Sequence, residues 1–402
     1  MSEPSFWTRQ PGFAIYTIYT IGASLIKLPL LAVLHAFPAF RTVPTWTFRQ
    51  SIMRALSRII MEYTSAVEFE LNAEPFNLEP GKEKERFVII PPADDLVSTY
   101  QGPALSATNP VGIKPTTIGG TWYPSAPPSN HHLYEHESGK RIFLHFHGGA
   151  YVLFSARDAH NAWGANMLLK HSPKGKAAVF VPQYRLSSIE GGRYRFPAAL
   201  QDAITAYSHL VVRLRIPPRD IVISGDSAGG NLALALLRYL CSEFNSSLPR
   251  PTGGVMLWSP WTDLSISAQE NTARPEHEID IVNARVIEWG KRMFLPDNVN
   301  DGDDSSGERR ACDNPYISPS KKGIETDAPV WVMLGGKELL VKDILRFVEL
   351  QREESRKAGG KVALYVIRDG THDMYMAAEG LGWVEETDRA VEHAMRFFDG
   401  RF

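Results

Sequence analysis

From about Glu68 to the C-terminus, short apolar runs alternate with stretches of helical period. Phe87–Ile90 and Gly120–Tyr123 read as edge strands, separated by a Pro/Gly-rich loop. The mostly apolar runs Ile142–Phe146, Ala177–Val181, Ile216–Ile223, Val255–Trp258, Val330–Leu334 and Val362–Ile367 read as strands buried on both faces. Between them Ala198–Arg213, Asn231–Glu243, Ile344–Lys357 and Glu385–Phe398 carry helical patterns. Continuous β-rich runs alternating with helices predict an α/β fold around a mostly parallel central sheet, flanked by helices on both sides. The alternation breaks between Asp263 and Asn314. One strong helical pattern, Ile279–Phe294, is followed there by an acidic, Gly/Ser-rich stretch, Asn298–Gly307. A cap insertion at about 264–313, above the strand ends, accounts for that interval.

The N-terminal 1–70 reads differently from the catalytic unit expected over 71–402. Phe13–Ile26 is uncharged and mostly apolar, and after Lys27 the apolar character resumes from Leu28 to Phe40. A helix over Phe13–Ile26 alone would cover about 21 Å, short of the roughly 30 Å of a bilayer core. The span becomes long enough if the helix continues past Lys27, but Pro29 favours a kink or an end there. Three readings of 13–40 stand: a membrane-spanning anchor, an interfacial helix, and an apolar lid over the site. A cleaved signal peptide fits less well, because the n-region is not markedly basic and no clear small-residue cleavage site follows. Arg41, Arg49, Arg54 and Arg58 follow on what read as one or two amphipathic helices.

Composition adds exclusions. The chain has 402 residues and a formal net charge of −2, with no basic block interleaved with aromatics, so no nucleic-acid partner is expected. Its two cysteines, Cys241 and Cys312, are too few and too far apart for a disulfide framework, and they lack metal-site spacing. No metal is expected. One acceptor sequon, Asn245-Ser246-Ser247, would matter in a secretory compartment.

The chemistry lies in two motifs. Gly225-Asp226-Ser227-Ala228-Gly229-Gly230 fits the nucleophile-elbow pattern G-x-S-x-G, with a strand before it and an Ala/Leu-rich helix after it. Ser227 is the expected nucleophile. The glycines permit a strained strand-to-helix turn, and the helix start aims N–H groups at developing negative charge. His147-Gly148-Gly149-Ala150 follows the strand Ile142–Phe146, where an oxyanion loop belongs. With the N–H of Ala228, Gly148 and Gly149 are the expected oxyanion donors. The remaining members should follow in the order acid, histidine. His372 lies in the loop after the last strand. After Val330–Leu334, Glu338 comes first, and Asp343 falls on the next helix; Glu338 is the expected acid.

These motifs resemble the hormone-sensitive-lipase-like carboxylesterases. Supporting matches are Tyr184-Arg185-Leu186, Phe196-Pro197-Ala198-Ala199 with Asp202, Ser259-Pro260-Trp261 with Asp263, and Asn314-Pro315-Tyr316. The resemblance runs from about residue 85 to the C-terminus. It implies an α/β-hydrolase domain with a helical cap built from the N-terminal helices and the 264–313 insertion. Two departures are Ala150 where the family has a third glycine, and Glu338 where it has Asp. The apolar N-terminus is most similar to fungal members, including membrane-anchored steryl acetyl hydrolases and deacetylases of secondary metabolism. The implied reaction is hydrolysis of a small-molecule ester through an acyl-enzyme, without a cofactor, with a short acyl group such as acetyl on a bulky apolar alcohol. The implied location is membrane-associated, as at the endoplasmic reticulum, with a soluble cytoplasmic enzyme as the alternative. The same triad would serve acyl transfer to an alcohol or thiol, or an amidase. A non-catalytic binding protein on this fold would be expected to lack a triad member, and all three candidates are present.

Overall fold

A computed structural model of the 402-residue chain describes residues 6–68, 76–105, 112–127, 139–188, 194–296 and 305–400. Eight strands form one sheet: β1 (Phe87–Ile90), β2 (Ile118–Tyr123), β3 (Arg141–Phe146), β4 (Ala177–Gln183), β5 (Ile221–Asp226), β6 (Val255–Trp258), β7 (Val330–Gly335) and β8 (Val362–Ile367). The spatial order is β1-β2-β4-β3-β5-β6-β7-β8. β2 pairs antiparallel with β1 and β4, and every pairing from β4 through β3 to β8 is parallel. The helices are α1 (Gly12–His35), α2 (Phe48–Val67), α3 (Leu96–Thr99), α4 (Asp158–Lys170), α5 (Ala198–Ser208), α6 (Ala228–Cys241), α7 (Ala268–Thr272), α8 (Ala284–Phe294), α9 (Ser305–Cys312), α10 (Val341–Lys357), α11 (Met374–Leu381) and α12 (Val384–Phe398).

Successive side chains of a strand point to opposite faces, and here both faces are apolar. Ile221 and Ile223, with Val330 and Val332, pack toward α5, α6 and α10. Val222, with Trp331 and Met333, packs toward α4, α11 and α12. The parallel register sets the ends of β3, β5, β6, β7 and β8 side by side, with Phe146 opposite Gly225, Asp226 opposite Trp258 and Gly335 opposite Ile367. Such strand ends are where open α/β sheets bind ligands.

The insertion contains α7, a short 3-10 turn at Pro275–Glu278, α8 and α9. The helix expected over Ile279–Phe294 begins only at Ala284. Asn283 caps it, its Oδ1 accepting from the Val286 N–H at 2.8 Å. Residues 279–283 form a loop instead, because their carbonyls accept from side chains of α2. Arg54 donates to the Ile279 and Glu278 carbonyls, and Arg58 to those of His277, Asp280 and Val282. The acidic stretch 298–307 lies mostly outside the described residues, as does the expected 70/71 boundary.

α2 is seated on the body at its other end too. Thr47 and Gln50 make a capping box, Trp46 Nε1 donates to the Asp369 carbonyl at 2.8 Å, and Gln50 Nε2 to the Gly382 carbonyl at 3.0 Å. α1 runs unbroken through Lys27 and Pro29, so Pro29 does not end it. At 24 residues it is about 36 Å long. It meets α2 where Thr17 Oγ1 and Tyr63 OH hydrogen-bond at 2.9 Å and the Tyr16 and Tyr63 rings stack. The rest of its surface faces outward: Ile18, Leu25 and Ile26 are 71, 72 and 74% exposed.

Candidate active site

The end of β5 turns into α6 through Ser227, whose φ of +52° lies in the left-handed region that a serine rarely adopts. Close packing enforces the turn. A Cβ on Gly225 would meet the Gly229 carbonyl, and one on Gly229 would meet the carbonyls of Phe146 and His147. The Ser227 backbone is pinned between strands, its N–H donating to the Trp258 carbonyl and its carbonyl accepting from Trp261, both at 2.9 Å. Its side chain thus stands at the sheet end with little freedom.

The structure brings together Ser227, His372 and Glu338. Ser227 Oγ lies 2.8 Å from His372 Nε2. His372 Nδ1 faces Glu338 Oε1 at 3.9 Å, beyond hydrogen-bonding range, and neither atom has another partner among the described residues. The other carboxylate oxygen of Glu338 is held, accepting from Ser259 Oγ at 2.6 Å and from the Gly335 N–H at 2.9 Å. Asp343 is turned elsewhere, into a two-pronged ion pair with Arg274 at 2.6 and 2.9 Å. Burial by itself would lower the basicity of His372. The carboxylate of Glu338, with Asp280 and the one charge shared by the Asp373–Asp226 pair nearby, more than offsets it and raises the imidazole to about 9.

The oxyanion loop requires a correction. Gly148 was expected to donate to the oxyanion, but its N–H donates to Asp226 Oδ2 at 2.8 Å. The nucleophile elbow and the oxyanion loop come so close there that a Cβ on Gly148 would strike that carboxylate. Among the described residues the N–H groups of Gly149 and Ala228, the other two expected donors, and that of Ala150 meet no backbone acceptor. Ala150 has a φ of +52°. Helix α8 of the insertion packs on the loop: Phe294 stacks on Tyr151 at 3.8 Å, and Gly290 leaves room for Ala150.

Several buried residues that sequence reasoning did not assign surround the candidate triad. Asp226 also accepts from His145 Nε2 at 2.9 Å, while His145 Nδ1 lies 3.0 Å from Ser224 Oγ. Burial lowers His145 to about 3, so it is neutral; with Asp226 as acceptor, Nε2 carries the proton. Asp373, next to His372, is hydrogen-bonded to Asp226. Burial and the Asp226 charge push it well above the ordinary carboxyl range, so Asp373 donates. Asp226 itself is raised to about 6, burial outweighing the donors that favour its charge. Asp280, from the insertion, is fully buried and accepts from the backbone of His372. Only the position of Asp226 and Asp373, each adjacent to a triad candidate, offered a sequence signal; Asp280 offered none.

The motif pieces at Tyr184–Asp202 hold the floor of the site. Tyr184 OH donates to the His147 carbonyl at 2.7 Å, and Arg185 makes a buried ion pair with Asp202 at 2.7 Å. The chain matches the family model of the alpha/beta hydrolase fold over residues 143–376, more than half its length. It belongs to the α/β-hydrolase fold family. Similar proteins include an esterase of Acinetobacter venetianus, 28% identical over 65% of this chain and 75% of that protein. An acetyl-hydrolase of Streptomyces hygroscopicus is 29% identical over 50% of this chain and 59% of its own. Steryl acetyl hydrolase 1 of Saccharomyces cerevisiae is 24% identical over 40% of this chain and 36% of its own. Among solved structures, a hormone-sensitive lipase from a metagenome library superposes with a TM-score of 0.50 at 20% identity, covering 87% of this chain and 92% of that one. The relatives named esterase and acetyl-hydrolase agree with carboxylester hydrolysis on this fold.

Proposed function

We propose that this serine carboxylester hydrolase works through Ser227, His372 and Glu338 and an acyl-enzyme, removing a short acyl group such as acetyl from an apolar alcohol. The observation that carries the reading is Ser227 Oγ on a strained elbow, 2.8 Å from His372 Nε2. Ser227 attacks the ester carbonyl while Nε2 takes its proton. The imidazolium is stabilised by Glu338, whose unpaired Oε1 faces Nδ1; closing that gap by about 1 Å in the substrate complex makes the hydrogen bond. The oxyanion is received by the N–H groups of Gly149, Ala150 and Ala228, in place of Gly148. Water then attacks the acyl-enzyme with His372 as base again. No cofactor enters this chemistry.

Two supports bear on the substrate. The cap helix α8 packs directly on the oxyanion loop at Ala150 and Tyr151, which favours a small acyl group. Relatives named acetyl-hydrolase and steryl acetyl hydrolase point to the acetyl ester of a bulky alcohol. We extend the proposal to the membrane. α1 is long enough to cross a bilayer core and apolar on its exposed faces, a surface that is unfavourable in water and favourable in lipid. It attaches the enzyme where apolar esters partition, while α2 serves as part of the cap.

The test is fluorophosphonate labelling with an ester panel varied separately in acyl length and alcohol size. Labelling should be lost in Ser227→Ala, and acetyl esters of bulky alcohols should lead the panel. Undiminished labelling of Ser227→Ala refutes the nucleophile, and a preference for long acyl chains refutes the substrate reading.

A further inference from the structure

Beyond the triad itself, and resting on that reading of it, one buried carboxylate joins the cap to the catalytic loops. We propose that Asp280 is a positioning residue for the reaction: it holds the loops bearing His372 and Glu338 at one spacing, and α2 sets Asp280 in place through Arg54 and Arg58.

Three backbone donors converge on this side chain. Its Oδ1 accepts the His372 N–H at 2.8 Å and the Ile281 N–H at 2.7 Å, and its Oδ2 accepts the Leu339 N–H at 2.7 Å. Leu339 directly follows Glu338. One carboxylate therefore grips the backbone at the residue carrying the base and at the neighbour of the residue carrying the acid. The two loops are also zipped at their bases, Gly336 N–H to the Ile367 carbonyl and Lys337 N–H to the Gly370 carbonyl, both 2.9 Å. Those bonds join residues that precede Glu338 and His372 in the chain, whereas the Asp280 bonds engage His372 itself and the neighbour of Glu338. The remaining gap between Nδ1 and Oε1 is 3.9 Å, so small backbone displacements decide whether that hydrogen bond forms. Misplacement of a reacting group by about 1 Å costs on the order of 100-fold in rate.

Asp280 does not belong to the sheet. It sits in the 279–283 loop of the insertion, whose carbonyls accept from the arginines of α2: Arg58 Nη1 donates to the Asp280 carbonyl at 3.2 Å and the Val282 carbonyl at 3.1 Å, and Arg54 Nε to the Ile279 carbonyl at 2.7 Å. Arg58 is itself buried. The N-terminal region thus reaches the triad in two steps, from α2 to the loop and from the loop to His372. Substrate or lipid that shifts α2 would act on the same linkage.

The charge of Asp280 supplies a signature separate from packing. His372 is faced by Glu338 from the β7 loop, Asp280 from the insertion, Asp373 from its own loop and Asp226 from the elbow, and the last two are joined by a hydrogen bond in which Asp373 is the donor. Burial pushes Asp280 above the ordinary carboxyl range, but both its oxygens accept from backbone N–H groups and it faces His372, which hold it ionised. Asp280→Asn keeps the shape and one acceptor but removes that negative charge.

The experiment uses the full-length protein, 4-nitrophenyl acetate and a fluorophosphonate. Asp280→Asn should lower kcat roughly 10- to 100-fold with KM changed by less than about threefold, and should move the acid limb of kcat/KM to lower pH. Arg58→Gln should lower kcat by a smaller factor and leave that limb in place, since the Asp280 charge remains. An unmoved acid limb or a wild-type kcat in Asp280→Asn overturns the proposal. If that variant does not fold, a wild-type kcat in Arg58→Gln overturns it instead. Labelling retained in Ser227→Ala would remove the triad reading and this proposal with it; labelling lost there, with Asp280→Asn unaffected, removes this proposal alone.

Discussion

Replacing Glu338 by Gln tests the acid with almost no change of shape. In the native site Oε2 accepts from Ser259 Oγ and from the Gly335 N–H. Both are donors, so a glutamine would turn its carbonyl oxygen to them and its NH2 toward His372 Nδ1. The opposite orientation would set an amide donor against two buried donors, a loss of roughly 1–3 kcal/mol for each group left unsatisfied. With an NH2 at Nδ1, that nitrogen must accept, and the single proton of the neutral imidazole moves to Nε2. Nε2–H then points at Ser227 Oγ, 2.8 Å away, and cannot take its proton. The corresponding change in a serine-protease triad lowers kcat roughly 10⁴-fold, or about 5.4 kcal/mol at 1.36 kcal/mol per decade. We expect a fall of that order in Glu338→Gln, measured as kcat on 4-nitrophenyl acetate with active-site titration to correct for misfolded protein. Asp343→Asn is the control. It breaks the paired bonds to Arg274, so it should lower stability by roughly 3 kcal/mol while leaving kcat within about fivefold. A Glu338→Gln enzyme within tenfold of wild type, or an Asp343→Asn enzyme as poor as Glu338→Gln was expected to be, refutes the reasoning.

His372 must be neutral to act as a base, and its neighbours raise it to about 9; the acid limb of kcat/KM should therefore lie well above 6.5, with activity falling about tenfold per pH unit below it, and a limb at or below 6.5 contradicts this. Full-length protein should remain with carbonate-washed membranes, whereas Ile18→Lys combined with Leu25→Lys and Ile26→Lys should release it, since each lysine in the bilayer centre costs roughly 2.5–3.5 kcal/mol; a soluble, monomeric wild type refutes the anchor. Gly290→Leu places a side chain against the Ala150 carbonyl and Cβ and should cut kcat by roughly tenfold or more through the oxyanion loop, with circular dichroism unchanged; a wild-type rate shows that α8 does not govern that loop.

The sheet was legible because strands buried on both faces must be apolar at nearly every position: β6, buried throughout, falls on the residues its apolar run marks, and so do the edge strands β1 and β8, although these are only partly buried. The elbow was legible for a steric reason: Gly225 and Gly229 pack so closely on neighbouring backbone that no other residue fits. Spacing along the chain says nothing about where an N–H points, which is why Gly148 was assigned to the oxyanion instead of to Asp226. The helix start at Ala284 was missed because the apolar spacing of Ile279–Val282 continues the period of α8. The Asn283 cap overrides it, and the arginines of α2, more than two hundred residues away in sequence, hold those carbonyls. Asp280 lay in the same blind region. A lone aspartate in an insertion has no period and no motif, and its three donors come from distant loops or from its immediate neighbour.

The crowd of acids around one imidazole explains which of them is left to serve it. Four carboxyl groups influence His372: Glu338, Asp280, Asp373 and Asp226. Four bare charges in a buried space would repel one another strongly, and the site reduces this in two ways. Asp373 keeps its proton and donates to Asp226, so the pair carries close to one charge. Asp226 is further engaged by His145 and by the Gly148 N–H, and both oxygens of Asp280 accept from backbone N–H groups. Glu338 is half-engaged, by Ser259 and Gly335 on Oε2 alone. Its Oε1 is buried, unpaired and turned to an equally unpaired His372 Nδ1. A buried carboxylate oxygen without a donor is costly, and the partner that removes the cost is the His372 Nδ1–H, already present in the neutral tautomer whose Nε2 accepts from Ser227 and a stronger donor once the imidazolium forms. The arrangement thus favours the charged histidine of the transition state over the resting one, which supports the proposal that Glu338 is the acid and that the other three carboxyl groups hold the loops in place.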